Sequence, residues 1–182
     1  MLQTYHYNSQ AFSIFELMSP AECRQWIDRA EAIGFDRATV KTRAGAEENA
    51  AVRNNARVMI DDKEWAAVLW DRMSGIAPGD ADGWRSTGLN ERFRVYRYHK
   101  YQSFKKHSDG KFQRSTDEES RFTFMVYLNE DYVGGSTNFD DFTVWPQTGM
   151  GLCFHHSVSH EGATVVDGVK YALRSDIMFK PA

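Results

Sequence analysis

The chain has 182 residues, 42% of them hydrophobic and 14% aromatic, enough for one domain with its own core. A formal net charge of -3 offers no broad basic surface, so neither nucleic acid nor an anionic membrane is expected as a partner. Two cysteines, Cys23 and Cys153, read as reduced thiols, and with no signal-like N-terminus or apolar run of ~20 residues a cytoplasmic protein is expected.

Taken in chain order, the first element is a helix. Ser19-Pro20-Ala21-Glu22 opens it with the residues of a capping box, and Gly34 closes it after Ile33. Trp26, Ile27, Ala30 and Ile33 recur at helical spacing. The stretch from Gly34 to Met59 is charged and Ala-rich and reads as a loop-rich connection. A second helix is predicted from Asp61-Asp62 to about Ser74, with Trp65, Val68, Leu69 and Met73 as its apolar stripe and Gly75 and Pro78 after it.

From about Glu91 the period changes to two. Phe93, Val95, Tyr96 and Tyr98 share one run. The clearest strand is 121–128, with Phe122, Phe124, Val126 and Leu128 at even positions and Arg121, Thr123, Met125 and Tyr127 at odd ones. Gly134-Gly135 marks a turn. Further strands are predicted at Thr137–Phe139, Met150–Phe154, Ala163–Val166 and Tyr171–Phe179. Helices first and strands after imply an α+β chain, and many short strands imply a sandwich or barrel. One domain is expected over 1–182, with helical support about 1–90 and a strand-rich core about 91–180.

His107-Ser108-Asp109 is the first feature that carries chemistry. An imidazole and a carboxylate two residues apart on a strand share a face and can chelate one cation. A third ligand is needed, and His155, His156 and His160 are the candidates. Two His and one carboxylate leave open positions for substrate and oxygen, as in non-haem iron(II) oxygenases. A zinc hydrolase can use the same set.

The order of further motifs narrows the choice. After His107-Ser108-Asp109 come Phe124-Met125-Val126-Tyr127-Leu128-Asn129 and Gly134-Gly135-Ser136-Thr137-Asn138-Phe139. Then follow Pro146-Gln147-Thr148-Gly149, His160-Glu161-Gly162 and Gly168-Val169-Lys170-Tyr171. Over about residues 91–180 the chain resembles the prolyl 4-hydroxylase-like branch of the Fe(II)/2-oxoglutarate oxygenases. The resemblance implies a double-stranded β-helix (a cupin-like jelly-roll) flanked by the N-terminal helices. It implies His107, Asp109 and His160 as iron ligands, and iron(II) and 2-oxoglutarate as cofactors, and it admits ascorbate. It also implies hydroxylation of a C–H bond, first of a prolyl residue in a peptide or protein, with succinate and CO2 as co-products. A free amino acid or other small molecule is the alternative substrate.

The same resemblance points Lys170, ten residues beyond His160, at the C5 carboxylate of 2-oxoglutarate, with Arg174 second on the same strand face. Many relatives have Arg where this chain has Lys170, and a lysine offers a point charge in place of a planar fork. Tyr127 and Tyr98 match cosubstrate-contacting tyrosines. Phe104 stands where a tyrosine is often found, so that contact is expected to be missing. His155 and His156 have no counterpart and read as structural. Arg53-Asn54-Asn55-Ala56-Arg57 reads either as a solvated loop or as a polar substrate rim, and Arg92, Arg94 and Arg97 lie on a strand leading to the site. Three rival readings are a non-catalytic sensor on the same fold, a cupin-like zinc or nickel enzyme, and a structural domain with a surface His-x-Asp.

Overall fold

In the computed structural model, which describes residues 2–38, 40–42, 45–47, 52–73, 75–79 and 83–182, two short strands precede the first helix. β1 (Thr4–Asn8) and β2 (Ala11–Ile14) form an antiparallel hairpin. The expectation that helices come first misses them. All four residues of β2 are buried, so it has no alternation to read, and it is held by a strand near the other end of the chain.

α1 (Pro20–Ile33) follows. Ser19 caps it as predicted: its hydroxyl accepts the Glu22 amide, and the Glu22 carboxylate accepts the Ser19 amide. Cys23, Trp26, Ile27 and Ala30 face inward, but Ile33 is 58% exposed and lies off the stripe. The connection expected to be loop-rich holds β3 (Asp36–Arg37), β4 (Val40–Thr42), β5 (Gly45–Glu47) and β6 (Ala56–Asp61). Residues 39, 43, 44 and 48–51 of it lie outside the described residues.

α2 (Lys63–Arg72) starts two residues later than predicted, because Asp61 ends β6. Asp62 is the N-cap and accepts the Trp65 amide; the expected end at Ser74 lies outside the described residues. Arg72 ties the helices together through the Glu22 carboxylate at 2.6 Å. Val68, predicted in the stripe, is 39% exposed, and Ala66, Leu69 and Met73 carry the buried face.

The rest of the chain is β7 (Trp84–Leu89), β8 (Arg92–Tyr98), β9 (Phe104–His107), β10 (Gln113–Ser115), β11 (Glu118–Tyr127), β12 (Val133–Gly134), β13 (Thr137–Phe139), β14 (Thr143–Val144), β15 (Gly151–His155), β16 (His160–Gly162), β17 (Val165–Asp167) and β18 (Lys170–Pro181). The major sheet runs β1-β2-β15-β11-β18-β8-β6-β3, with β10 also on β11 and β7 also on β18. A minor sheet runs β14-β13-β16-β9, and β12 pairs with β17. Every pairing within these sheets is antiparallel. This is the double-stranded β-helix, with α1 and α2 beside it.

Strand alternation sorts the major sheet into two faces. Phe93, Val95, Phe122, Phe124, Val126, Leu173, Ile177 and Phe179 pack with Trp26, Ile27, Leu69 and Met73 of the helical layer. Each large apolar side chain fully buried there contributes roughly 1.5–3 kcal/mol. The other face, carrying Tyr96, Tyr98, Thr123, Met125, Ala172 and Arg174, looks toward the minor sheet across a cavity. Cys23 and Cys153 are both buried and unbridged. Among the described residues no helix is long and apolar enough to cross a membrane.

Candidate metal centre and cosubstrate cavity

His107 ends β9 and His160 begins β16, and the two are direct register partners. Their rings lie 4.3 Å apart between centroids. Asp109 lies beyond the strand, where its amide donates to the His156 carbonyl at 3.0 Å. One donor atom from each of His107, Asp109 and His160 lies within 4.8 Å of the others. Of the three histidines open as a third ligand, the fold brings His160 to the pair. His155 turns away, its ring edge on Phe122 and its Nδ1 2.7 Å from Ser157 Oγ.

The surroundings set the state of each donor. His107 Nδ1 lies 2.7 Å from the Lys105 carbonyl, and His160 Nδ1 lies 3.1 Å from the Val158 carbonyl. A carbonyl only accepts, so both Nδ1 atoms carry hydrogen and both Nε2 atoms keep a lone pair. Burial, then the neighbouring His160, pushes His107 down to about 4. Burial lowers His160 as well, against the pull of Asp109. Burial alone would raise Asp109, but Arg174, His160 and the Thr123 hydroxyl hold it well below the usual carboxylate range. Two neutral imidazoles and a carboxylate, each oriented by a further partner, are a donor set suited to a divalent transition metal.

Behind Asp109 stands a buried polar network. Thr123 Oγ1 donates to Asp109 Oδ2 at 2.5 Å and lies 3.0 Å from His156 Nδ1. His156 Nε2 lies 2.9 Å from Ser120 Oγ. Arg174 reaches Asp109 Oδ2 at 3.1 Å and Asp176 Oδ1 at 3.2 Å, and Arg94 reaches Asp176 Oδ2 at 3.1 Å. Sequence reading names neither Thr123 nor Asp176 for the site and leaves His156 as structural. The available signal was the period-two parity that places Thr123 and Asp176 on the cavity face.

The cavity between the sheets measures about 520 Å³, the size of a small-molecule site. Lys170, Ala172, Arg174 and Asp176 all line it, as the face reading of β18 predicts. Lys170 is 3% exposed and donates to the Gly135 carbonyl at 2.6 Å. Its Nζ lies 5.5 Å from the centre of the Tyr98 ring and 5.3 Å from that of Tyr127. Among the described residues no carboxylate pairs with it, and burial pushes it down to about 7. A buried cation without an anion is costly unless a ligand brings one. Ala172 between Lys170 and Arg174 leaves the floor open.

Tyr98 lines this cavity, as does Phe104, whose ring stacks on His107 at 3.6 Å. Tyr127 is fully buried in the cluster of Phe139, Leu152 and Phe154, with its hydroxyl 2.7 Å from Thr137 Oγ1. Arg174 is engaged by Asp109 and Asp176 on the metal side. Arg53, Arg57 and Arg94 line the cavity, whereas Arg92 pairs with Asp61 and Arg97 with Glu31, away from it.

The model of the 2OG-Fe(II) oxygenase superfamily matches residues 93–175, the segment that holds all three donors and Lys170. Over that segment the chain is similar to the 2OG-Fe(II) oxygenases, and the donor triad and the buried Lys170 fit iron(II) and 2-oxoglutarate, the pair that family name implies. No curated protein matches the chain. Solved structures share its fold. Viral collagen prolyl hydroxylase from Paramecium Bursaria Chlorella virus-1, in its 2OG complex, is 19% identical with a TM-score of 0.65, over 94% of this chain and 97% of that one. A Pseudomonas putida prolyl-4-hydroxylase is 16% identical with a TM-score of 0.66, over 93% and 92%. A Trichoplax adhaerens prolyl hydroxylase bound to a hypoxia inducible factor peptide fragment is 16% identical with a TM-score of 0.67, over 93% and 84%.

Proposed function

We propose that this chain is a 2OG-Fe(II) oxygenase that, as one domain over 1–182, hydroxylates a prolyl residue in a peptide or protein. We assign His107, Asp109 and His160 as the iron ligands and Lys170 as the anchor of the C5 carboxylate of 2-oxoglutarate. The observation that carries this is the meeting of the three donors beside a buried lysine that no carboxylate among the described residues pairs with, in one cavity. The prolyl substrate is favoured by the shared fold with prolyl hydroxylases.

When bound, iron(II) and 2-oxoglutarate supply, with O2, the oxidation that inserts one oxygen atom into a C–H bond and yields succinate and CO2. The chain's residues prepare for it. Lys105 and Val158 hold the two imidazoles with Nε2 free. Thr123 and Arg174 keep the Asp109 carboxylate ionised and oriented. Phe104 and Phe154 pack against His107 and His160 and limit water at the reacting centre. Lys170 and Tyr98 form the deep end where a carboxylate meets charge and a ring. Tyr127 supports that end through Thr137, which lines the cavity.

Anaerobic titration with iron(II) and 2-oxoglutarate, followed by the visible band of the chelate, tests the assignment. Alanine at His107, Asp109 or His160 abolishes the band. A variant that keeps it at the parent's iron affinity removes that residue from the ligand set. Prolyl peptides incubated in air gain the mass of one oxygen atom; if free amino acids gain it and peptides do not, the substrate is a small molecule.

A further inference from the structure

We propose that the substrate carries a carboxylate and that Arg53 holds it beside the metal-binding triad. This rests on the ligand assignment above and adds the substrate's charge to it.

Arg53 is 6% exposed and lines the cavity. Its guanidinium lies 4.3 Å from the centre of the Tyr96 ring and 4.3 Å from that of Phe104. Its Nε donates to Asn55 Oδ1 at 2.7 Å, while its Nη2 has no acceptor. The rings favour the cation, but they do not satisfy its hydrogen-bond donors. An arginine buried this far with a donor unmet is costly, and an oxyanion is the group that would meet it.

The charges around the cavity single Arg53 out. Arg94 and Arg174 share Asp176, and Arg174 also holds Asp109. Lys111 has Glu119 at 2.6 Å. Lys170 is committed to the cosubstrate. Among the described residues Arg53 pairs with no carboxylate. Arg57 lines the same cavity, one strand over, as the register partner of Tyr96. Burial lowers Arg57, Tyr96 raises it, and Arg53 and Arg94 lower it again.

Position supplies the rest. Arg53 bridges to Phe104 through the backbone, and Phe104 stacks on His107. A group held by Arg53 is therefore about one ring away from a metal ligand. A guanidinium clamped between two rings presents its edge, and a flat carboxylate suits that edge. The carboxylate can be an acidic side chain next to the prolyl residue or a free α-carboxylate on it.

Calorimetry under nitrogen, on the protein saturated with iron(II) and 2-oxoglutarate, tests this with four probes. They are acetyl-Glu-Pro-Gly-amide, its Gln counterpart, acetyl-Gly-Pro acid and its amide. At least one acid binds about tenfold or more tightly than its neutral partner, and the pair that discriminates identifies the source. Arg53→Gln removes the difference by weakening the acid alone, and Arg53→Lys restores part of it. Thermal melting establishes that the variants are folded, and the acid-against-amide comparison in the parent stands without them. Acids and amides that bind alike in the parent, or no binding by any probe, overturn the proposal. So does discrimination that survives in folded Arg53→Gln, or a variant that weakens 2-oxoglutarate in place of the acid. Failure of the prolyl reading looks different: the acid preference holds, yet no probe gains oxygen in air.

Discussion

His107 and His160 face each other as register partners across β9 and β16. The antiparallel ladder, not either side chain, sets their spacing. A slip of one residue would turn one imidazole to the opposite face. Phe104, Phe139 and Phe154 pack around the pair, so both rings are held before any metal arrives.

Thr123 connects Asp109 to His156. Thr123→Val keeps the shape and removes the hydroxyl, leaving the Asp109 carboxylate and His156 without their shared partner. Iron(II) affinity falls about 10–100-fold, and Thr123→Ser recovers most of it. Competition with a chromogenic chelator measures both. Equal affinities in the parent and Thr123→Val would show that the hydroxyl does not orient the ligand.

Arg174 neutralises two buried carboxylates, Asp109 and Asp176. Arg174→Met takes the buried cation from Asp109 and leaves Asp176 with Arg94 alone, and the metal-free protein loses about 3–5 kcal/mol in urea unfolding. Iron(II) stabilises this variant more than it stabilises the parent, because the cation takes over part of the charge on Asp109. A loss under ~1 kcal/mol would mean that water compensates the carboxylates.

As the proposed anchor of the C5 carboxylate, Lys170, pushed by burial to about 7, would link cosubstrate binding to pH. The group that receives the carboxylate must be protonated. Below about 7 the affinity for 2-oxoglutarate is flat; above it, binding takes up a proton and weakens toward about tenfold per pH unit. Because the folded-state value is depressed, the unfolded chain binds the extra proton between that value and ~10.4. Stability of the cosubstrate-free protein therefore rises with pH across that window. Lys170→Met binds weakly and shows neither slope; anaerobic titration and urea unfolding across pH check the two.

Gly149 of the Pro-x-x-Gly turn has φ +79°, and a Cβ there would lie 1.9 Å from the Met18 carbonyl oxygen. Gly149→Ala must distort the turn that donates to the Tyr127 carbonyl and accepts from the Met18 amide. Strain of this kind costs about 1–3 kcal/mol before the clash is added. A lowered melting temperature is expected, and an unchanged one would place the turn elsewhere.

Local rules read well where partners are near in sequence. The Ser19–Glu22 capping box, the parity of 121–128 and the cavity face of Lys170, Ala172, Arg174 and Asp176 follow from periods of 3.6 and 2. They fail where a strand exists only because of a distant neighbour. β2 pairs with β15, and β6 pairs with β8; β2 is buried throughout and has no alternation, and the alternation of β6 is confined to Val58–Asp61 at the end of a charged stretch.

The same division runs through the site. By itself the sequence determined which residue types could bind a metal and an oxo-acid, because motif order and side-chain chemistry are written in one dimension. The motif order already implied His160 as the third ligand, and the fold brings it to the pair; tertiary structure alone decided that Arg174 lies on Asp109, that Lys170 has no carboxylate partner among the described residues, and that Thr123 and His156 stand behind the carboxylate. Those outcomes depend on strand register and burial, which bring together side chains from opposite sheets and set what each charge must have beside it.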